Sequence, residues 1–416
     1  MLLGPILGFH QQLANKRIIF SIFATSVFLF ALADGIFSYQ VPLWLFSIVH
    51  DFALVGIVIS SSSLIGFICD LVFPKILRGR KYQFFALATF IVAGFTQITA
   101  LLLHNWLGGF VAMALWGVYY ELFLFGLYHF LHTEIEPAQH ASGWGVTEAL
   151  RSLGLIIAPV FVGLLLVYPV SPFVFSGIFF VIAGILNFFL LRRERRLSKI
   201  IVQKKQPEFA VATFRVWITF LSRIWPVYIF FFSVILLDAA IWTAGIFFSE
   251  HLREQSLIGS LYVPAYYAPV LVAPLFAGKL ARKFGKKHTA FVAAFPLGLL
   301  LLIGNWIERS AIWHVGTMLL AGSATALIVT ESEAIFEDYV ARLHRFSGEM
   351  VGLVRSASNI GYIVGPLCAG FAADWLGSSR TIAVIGLLPA IAAAIALLKL
   401  PGKTKLPQKA LEEMVV

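Results

Sequence analysis

The chain alternates between long apolar runs and short polar interruptions. Each run is long enough to cross a bilayer as a helix, for which about 20 apolar residues are needed. The runs are too long for transmembrane β-strands and do not alternate polar and apolar positions, which excludes a β-barrel. The pattern predicts twelve transmembrane helices, at residues 18–39, 51–74, 82–104, 108–131, 142–167, 171–192, 225–249, 257–279, 288–306, 312–335, 348–374 and 380–399.

Basic residues fall mainly on one side of this predicted membrane layout. With the N-terminus in the cytoplasm, the inner loops hold the groups at 75–81, 192–205 and 279–287. The basic residues of the outer loops are Arg253, Arg309 and Arg380. Because cytoplasmic loops are enriched in Lys and Arg, both termini are predicted to be cytoplasmic. The segment 214–224 is predicted to be an amphipathic lead-in on the membrane surface.

The composition agrees with a membrane protein. Hydrophobic residues make up 60% of the chain and charged residues 12%, against roughly 45–50% and about 25% in soluble domains. We expect a multi-pass protein of the bilayer, in the plasma (inner) membrane if prokaryotic. The net charge of +10 comes from loop residues that set topology, so we expect no nucleic-acid partner. A monomer is predicted.

A basic segment near the midpoint suggests two halves. We predict an N-terminal six-helix bundle at 1–192, a cytoplasmic linker at 193–213, a C-terminal six-helix bundle at 214–400 and a cytoplasmic tail at 401–416.

Residues in the two halves recur at similar spacing. Asp34 and Asp238 are 204 residues apart, and Glu121 and Glu331 are 210 apart. The Gly-Pro elements Gly154–Pro159 and Gly361–Pro366 are 207 apart. Matches in the same order indicate a parallel repeat about an axis along the membrane normal. The predicted fold is therefore all-α, with two pseudo-symmetric six-helix bundles.

The loops after the second and eighth predicted helices resemble a signature of the major facilitator superfamily, and this resemblance extends over essentially the whole chain. In that family the motif is Gly, three residues, Asp, Arg, one residue, Gly and two basic residues. The resemblance implies that these loops latch the cytoplasmic side. Arg282 stands where the family has Asp, and the basic residues of the first copy come late. The matching positions are Gly66, Asp70, Arg78, Arg80, Gly278, Arg282 and Gly285.

The Gly-Pro elements resemble a second signature, found in antiporters of the family. The resemblance implies a hinge at these small and bending residues, whereas the alternative is tight helix packing. The fourth predicted helix lacks the arginine found in drug–proton antiporters of the family. The hinge candidates are Gly154, Pro159, Gly361, Gly365 and Pro366.

Acidic residues inside predicted spans are candidates for proton coupling. An ionisable side chain in a spanning helix costs at least ~2.5–3.5 kcal/mol on insertion scales, and a carboxyl group in a low-dielectric cavity can load and release a proton. The candidates are Asp34, Glu121, Asp238 and Glu331. The alternatives are structural ion pairs with Arg151 or Arg355 and, for Glu331, a charge at the cytoplasmic helix end.

Polar and aromatic residues in the spans are candidates for substrate contact. Glu148 and Arg151 share one helix face and predict either a local ion pair or a substrate site. With Glu121, Arg151 resembles the sugar-binding pair of lactose permease. Each aromatic residue is alternatively a packing residue. The further candidates are Trp116, Tyr119, Tyr120, Tyr266, Tyr267, Arg355 and Asn359.

These features predict a secondary transporter that moves a small molecule by alternating access. There is no Gly-rich phosphate loop, no catalytic constellation and no metal-ligand spacing, so we expect no enzyme, no cofactor and a proton gradient as the driving force. Acids and aromatic residues favour efflux of amphipathic or cationic compounds, which is the preferred hypothesis. Arg151 and Glu121 favour the alternative, uptake of a sugar-like polar metabolite. A non-transporting sensor or embedded enzyme is the third hypothesis.

Overall fold

The computed structural model describes residues 3–77, 80–134, 140–165, 170–197, 214–307, 309–343 and 347–399. The predicted tail at 401–416 and most of the predicted linker lie outside this part of the chain. Within it, the secondary structure is helical. The α-helices are α1 Leu3–Val49, α2 Phe52–Ile76, α3 Tyr82–Leu102, α4 Trp106–Glu134, α5 His140–Leu165, α6 Pro172–Leu197, α7 Phe214–Ala240, α8 Ile246–Gln255, α9 Tyr262–Tyr267, α10 Ala273–Phe284, α11 Lys286–Trp306, α12 Ala311–Leu343, α13 Ser347–Leu376, α14 Ser378–Ile385 and α15 Leu387–Lys399.

Ten helical segments of the described chain are long and apolar enough to span a membrane. The segment Leu257–Leu271 with Leu275–Phe284, bent by 64°, gives up to eleven. Helix α13 covers the eleventh predicted span and has 30 residues, but its glycine, serine and charged positions make it less apolar. The prediction of helical spans is confirmed, and the number twelve stays a prediction.

The described residues form two compact units. The first combines Met1–Gln40 with Ile68–Lys204, and the second combines Val41–Phe67 with Lys205–Val416. The C-terminal end of α1 and the N-terminal end of α2, which follow each other in the chain, thus pack with the C-terminal helices. The predicted bundle boundaries, at 1–192 and 214–400, stay a prediction.

Stacked phenylalanines fill the core of the first unit. The rings of Phe30 and Phe123 stack with centroids 3.6 Å apart, and those of Phe23 and Phe130 stack at 3.7 Å. These contacts join α1 to α4. Each pair removes two large apolar rings from contact with the surroundings. The core therefore fixes the face that α1 turns toward α4.

The seventh span begins earlier than the sequence predicts. Residues Phe214–Ile224, expected as a surface lead-in, are instead the first turns of α7, and Phe220 and Ile224 are completely buried. Their apolar side chains gain more from the protein core than from the interface. Helix α7 continues through a π-helical turn, Ile241–Gly245, into α8.

Prolines divide the eighth predicted span into short pieces. The 3₁₀ segments Leu257–Leu261 and Ala268–Leu271 flank α9, and α10 follows. Proline lacks a backbone N–H and clashes with the preceding turn. Pro269, at the start of the second 3₁₀ segment, therefore ends α9 directly after Tyr266 and Tyr267.

The Gly-Pro elements lie where helices approach closely. A Cβ atom at Gly154 would lie 2.8 Å from the backbone nitrogen of Leu32 on α1. In the second unit, a Cβ atom at Gly365 would lie 2.5 Å from the Cβ of Ala239 on α7, and one at Gly361 would crowd Ile235. These contacts support the packing interpretation. A hinge at Pro159 and Pro366, both inside continuous helices, stays a prediction.

Candidate substrate and proton site

Asp34 lies in the middle of α1 and is 5% exposed. Its Oδ1 accepts a hydrogen bond of 2.7 Å from the hydroxyl of Tyr119 and one of 3.0 Å from Nε1 of Trp116. The two donors are three residues apart on α4, so they share one helix face. Among the described residues, no donor reaches the second oxygen, Oδ2. One oxygen is therefore held in place, and the other is left for a proton or a ligand.

Phe37 continues this wall one turn along α1. Its ring meets the indole of Trp116 edge to face, with centroids 5.4 Å apart. Tyr119 is completely buried, and its ring also packs against Phe30 and Phe180. The carboxyl group of Asp34 is thus a polar point on a rigid aromatic surface.

Arg151 on α5 joins a second group of side chains to the same stretch of α4. Its Nη2 lies 2.6 Å from Oε1 of Glu148, and Nη1 donates to the hydroxyl of Tyr120 over 2.9 Å. The predicted local ion pair is present. Because Tyr119 and Tyr120 are neighbours in sequence, α4 bonds to Asp34 through one tyrosine and to Arg151 through the next.

The side chain of Arg151 is 24% exposed and that of Glu148 is 49% exposed. An ion pair with this much accessible surface can still exchange partners with a polar solute. Glu121, which follows Tyr120 on α4, is buried at 7% exposure. The described hydrogen bonds of Arg151 go to Glu148 and Tyr120, so the proposed pairing of Arg151 with Glu121 stays a prediction.

Asp238, the counterpart of Asp34 in the repeat, lies on α7 in the second unit. Tyr267 donates a hydrogen bond of 2.7 Å to Oδ1, and Tyr362 on α13 donates to Oδ2. Both carboxylate oxygens are therefore held by a phenolic hydroxyl. The ring of Trp242 lies over Tyr267 with centroids 5.3 Å apart, and Tyr266 meets Tyr267 edge to face.

Two contributors to this second cluster were missed in the sequence. Tyr362 lies inside the Gly-Pro element of α13, between Gly361 and Gly365. Its position within that element was the feature of the sequence that could have identified it. Trp242 lies in the π-turn, which apolar periodicity does not reveal. Both act with Asp238, which sequence reasoning did identify.

The remaining candidates of the second unit lie on α12 and α13. Glu331 is 2% exposed and lies inside α12, which continues to Leu343, so it is not a charge at a helix end and it stays a candidate for proton binding. Arg355 and Asn359 are one helical turn apart on α13 and partly buried. Their predicted role in substrate binding stays a prediction.

The loop motif is partly within the described residues. Arg78 lies outside them. Gly66 is buried on α2, and Asp70 lies one turn further on the same helix. Arg80 places its guanidinium 5.1 Å from the ring centre of Phe84.

In the second copy, Gly278 and Arg282 are exposed on α10. Gly285 has φ +86° and joins α10 to α11, a conformation that favours glycine. The following Lys286 places Nζ 2.9 Å from Oδ1 of Asp338 on α12. The latch function predicted for the motif stays a prediction.

Comparison with known proteins agrees with the fold. Residues 227–414 match the family model described as Major Facilitator Superfamily. No curated protein sequence matched the chain.

The structure is similar to that of the nucleoside transporter NupG, with a TM-score of 0.72, 14% identity and coverage of 92% of this chain and 100% of that one. It is also similar to a peptide transporter, POT, in complex with sulfate (TM-score 0.70, 12% identity, 91% and 93% covered). A bacterial homologue of the iron transporter ferroportin in the inward-facing state gives a TM-score of 0.67 at 12% identity, with 91% and 97% covered.

The long apolar helices make the chain an integral multi-pass membrane protein. The C-terminal part of the chain, residues 227–414, is therefore similar to the Major Facilitator Superfamily, and the fold of the whole structure is similar to that of the solved transporters.

Proposed function

We propose that this chain is a secondary transporter, that its transport is coupled to protons and that Asp34 carries the proton. The observation that supports this is the unequal use of the two oxygens of Asp34. Oδ1 is fixed by Tyr119 and Trp116, while Oδ2 receives no donor from the described residues. A carboxyl group can add and release a proton without rearranging its surroundings when one oxygen is anchored and the other is available.

Asp238 has a different role in this proposal. Both of its oxygens already accept a phenolic hydroxyl, from Tyr267 and Tyr362. Protonation of Asp238 would weaken one of these hydrogen bonds, because a protonated carboxyl oxygen is a poorer acceptor than a carboxylate oxygen. We therefore assign Asp238 to the positioning of its aromatic neighbours and Asp34 to proton transfer. The driving force is the proton gradient, and no cofactor is needed.

We propose uptake of a small polar metabolite that contains a ring. The chemistry beside Asp34 combines an aromatic wall, formed by Trp116 and Phe37, with the hydrogen-bonding groups of Tyr120, Arg151 and Glu148. A sugar or nucleoside offers matching hydroxyl groups and a flat face. The fold of NupG, a nucleoside transporter, and of POT, a peptide transporter, is compatible with such a polar substrate.

Efflux of an aromatic cation is the second candidate. It is favoured by the cluster of Asp238, Trp242, Tyr266 and Tyr267, where tyrosine and tryptophan rings surround a carboxylate. Aromatic faces and a carboxylate both attract organic cations. In this case the substrate would contact Asp238, and it would cross the membrane in the direction opposite to the protons.

The purified protein in liposomes tests both candidates. Radiolabelled nucleosides, sugars and aromatic cations are offered under an inward or an outward pH gradient. Uptake of a neutral polar solute that is lost in Asp34→Asn, but kept in Asp338→Asn, supports the first candidate. Export of a cation that is lost in Asp238→Asn but kept in Asp34→Asn would replace it with the second.

A further inference from the structure

Asp374 lies in the last turn of α13, next to the N-terminus of α2. Its Oδ1 accepts the backbone N–H of Phe52 over 3.1 Å, and its Oδ2 accepts that of Ala53 over 3.0 Å. The hydrogen bonds join residues 322 and 321 positions apart in the chain. One carboxylate therefore fastens a helix of the first repeat to a helix of the second.

The N-terminus of α2 supplies the donors because the first four N–H groups of a helix have no partner within it. The side chain of Asp51 accepts the backbone N–H of Leu54 through Oδ1 over 2.7 Å. The backbone carbonyl oxygen of Asp51 accepts the N–H of Val55. The first two are left to Asp374. Two acids, one local and one from α13, thus complete the cap of α2.

The position of Asp374 is unfavourable for α13 itself. The C-terminal end of a helix carries partial negative charge, which repels an acid, whereas the N-terminal end attracts one. Asp374 is at the wrong end of its own helix and at the right end of α2. Its charge is therefore stabilised by the contact between the two helices, and not by α13.

The backbones of the two helices are close enough for this contact along two further turns. A Cβ atom at Gly56 would collide with the carbonyl oxygen of Pro366, and one at Gly370 would collide with that of Phe52. Rings cover the same end. Phe52 lies 4.5 Å from Phe46 and 4.8 Å from Phe247, between ring centroids.

We propose that Asp374 is a latch that keeps this end of the molecule closed. In a transporter that works by alternating access, α2 and α13 must separate here for the end to open. Separation removes both carboxylate oxygens of Asp374 from the N-terminus of α2 at once. It also exposes the close contacts at Gly56 and Gly370. The apolar contacts give the closed state its bulk stability, and the carboxylate determines how readily it is released.

Thiol reactivity of the purified protein in detergent tests the latch. The native Cys69 and Cys368 are replaced by alanine, and Val55→Cys introduces a reporter at a completely buried position beside Gly56. The rate of alkylation by a maleimide then measures how often the contact opens. Because the assay needs no substrate and no transport, its failure would leave the assignment of Asp34 untouched.

Two variants break the latch from opposite sides. Asp374→Asn removes the charge and one of the two acceptor oxygens, while Ala53→Pro removes one donor and is tolerated in the first turn of a helix. Each is expected to raise the alkylation rate about fivefold, which is equivalent to a helix cap of ~1 kcal/mol. Thermal unfolding checks that each variant is folded. If one does not fold, the other still decides.

Asp338→Asn is the matched control. Asp338 on α12 pairs with Lys286 of α11, with Nζ and Oδ1 2.9 Å apart, so its charge is lost without removing an acceptor from the N-terminus of α2. The control is expected to keep the parent rate. Unchanged alkylation in a folded Asp374→Asn or Ala53→Pro variant would overturn the proposal, and so would an equal rise in Asp338→Asn.

Discussion

Tyr119 donates its phenolic hydrogen to Oδ1 of Asp34 over 2.7 Å, across 85 positions of the chain. The same chemistry recurs at Asp238, where Tyr267 donates over 2.7 Å. The donors come from different helices, however. Asp34 is held from α4, the fourth helix of its half, and Asp238 is held from α9 and α13. The two acids are thus related by the repeat but differ in their supports.

Asp34→Asn is expected to abolish transport driven by a pH gradient. The amide keeps the shape of the side chain and can still accept from Tyr119, but it cannot take up a proton. Exchange of labelled for unlabelled substrate, which needs no net proton movement, should survive. Liposome flux with and without a pH gradient measures both. Asp338→Asn, at a partly exposed ion pair, is the control and should keep both activities.

Tyr119→Phe is expected to lower the free energy of unfolding by about 1.5–3 kcal/mol, the usual contribution of a hydrogen bond to a charged group. The ring and its packing against Phe30 remain, so the loss reports the hydroxyl alone. Thermal or denaturant unfolding in detergent measures it. Tyr128→Phe is the control, because Tyr128 is 48% exposed. An equal loss in both variants would contradict the importance of the bond to Asp34.

Arg151→Lys is expected to raise the KM of the transported substrate about tenfold, equivalent to ~1.4 kcal/mol, with the maximal rate less affected. Lysine keeps the charge but cannot replace the planar fork, which bonds Glu148 and Tyr120 at once. Concentration-dependent uptake measures the change. Arg253→Lys alters a similar pair on α8 and should leave KM as it is. A rise of the same size there would argue against a substrate role for Arg151.

Gly154→Ala is expected to destabilise the protein by about 1–3 kcal/mol, the usual cost of overpacking. The added methyl group would meet backbone atoms of α1, including the carbonyl oxygen of Phe28 at 2.9 Å. Gly145→Ala, on the same helix but with no atom within 4 Å, should be neutral or stabilising. Unfolding midpoints compare the two. If Gly154→Ala keeps full stability yet alters transport, the result would favour a hinge at this position over tight helix packing.

Local chemistry was readable from the sequence. Glu148 and Arg151 are three residues apart on a helix, and their ion pair follows from helical period alone. The Gly-Pro elements likewise predicted close helix contacts, which Gly154 and Gly365 make. Apolar length gave most of the spanning helices, since burial of the backbone in lipid leaves few alternatives to a helix.

Long-range contacts were not readable. No periodicity links Asp34 to Trp116 or Asp238 to Tyr362, because these pairs depend on how separate helices pack. The first helix also exceeds its prediction of 18–39, since α1 continues to Val49 through Pro42. The contact of Asp374 with α2 is of the same kind, because it depends on where the N-terminus of α2 lies in the fold.

The π-turn Ile241–Gly245 follows directly on the stretch of α7 that carries Asp238. A π-turn holds one residue more than an α-helical turn, and each residue of an α-helix advances by about 100°. Every side chain beyond the turn is therefore aimed in a new direction relative to Asp238. Helix α1 has no such turn after Asp34. A segment of α1 grafted in place of α7 would point its downstream side chains at the wrong neighbours, so the two copies are no longer interchangeable parts.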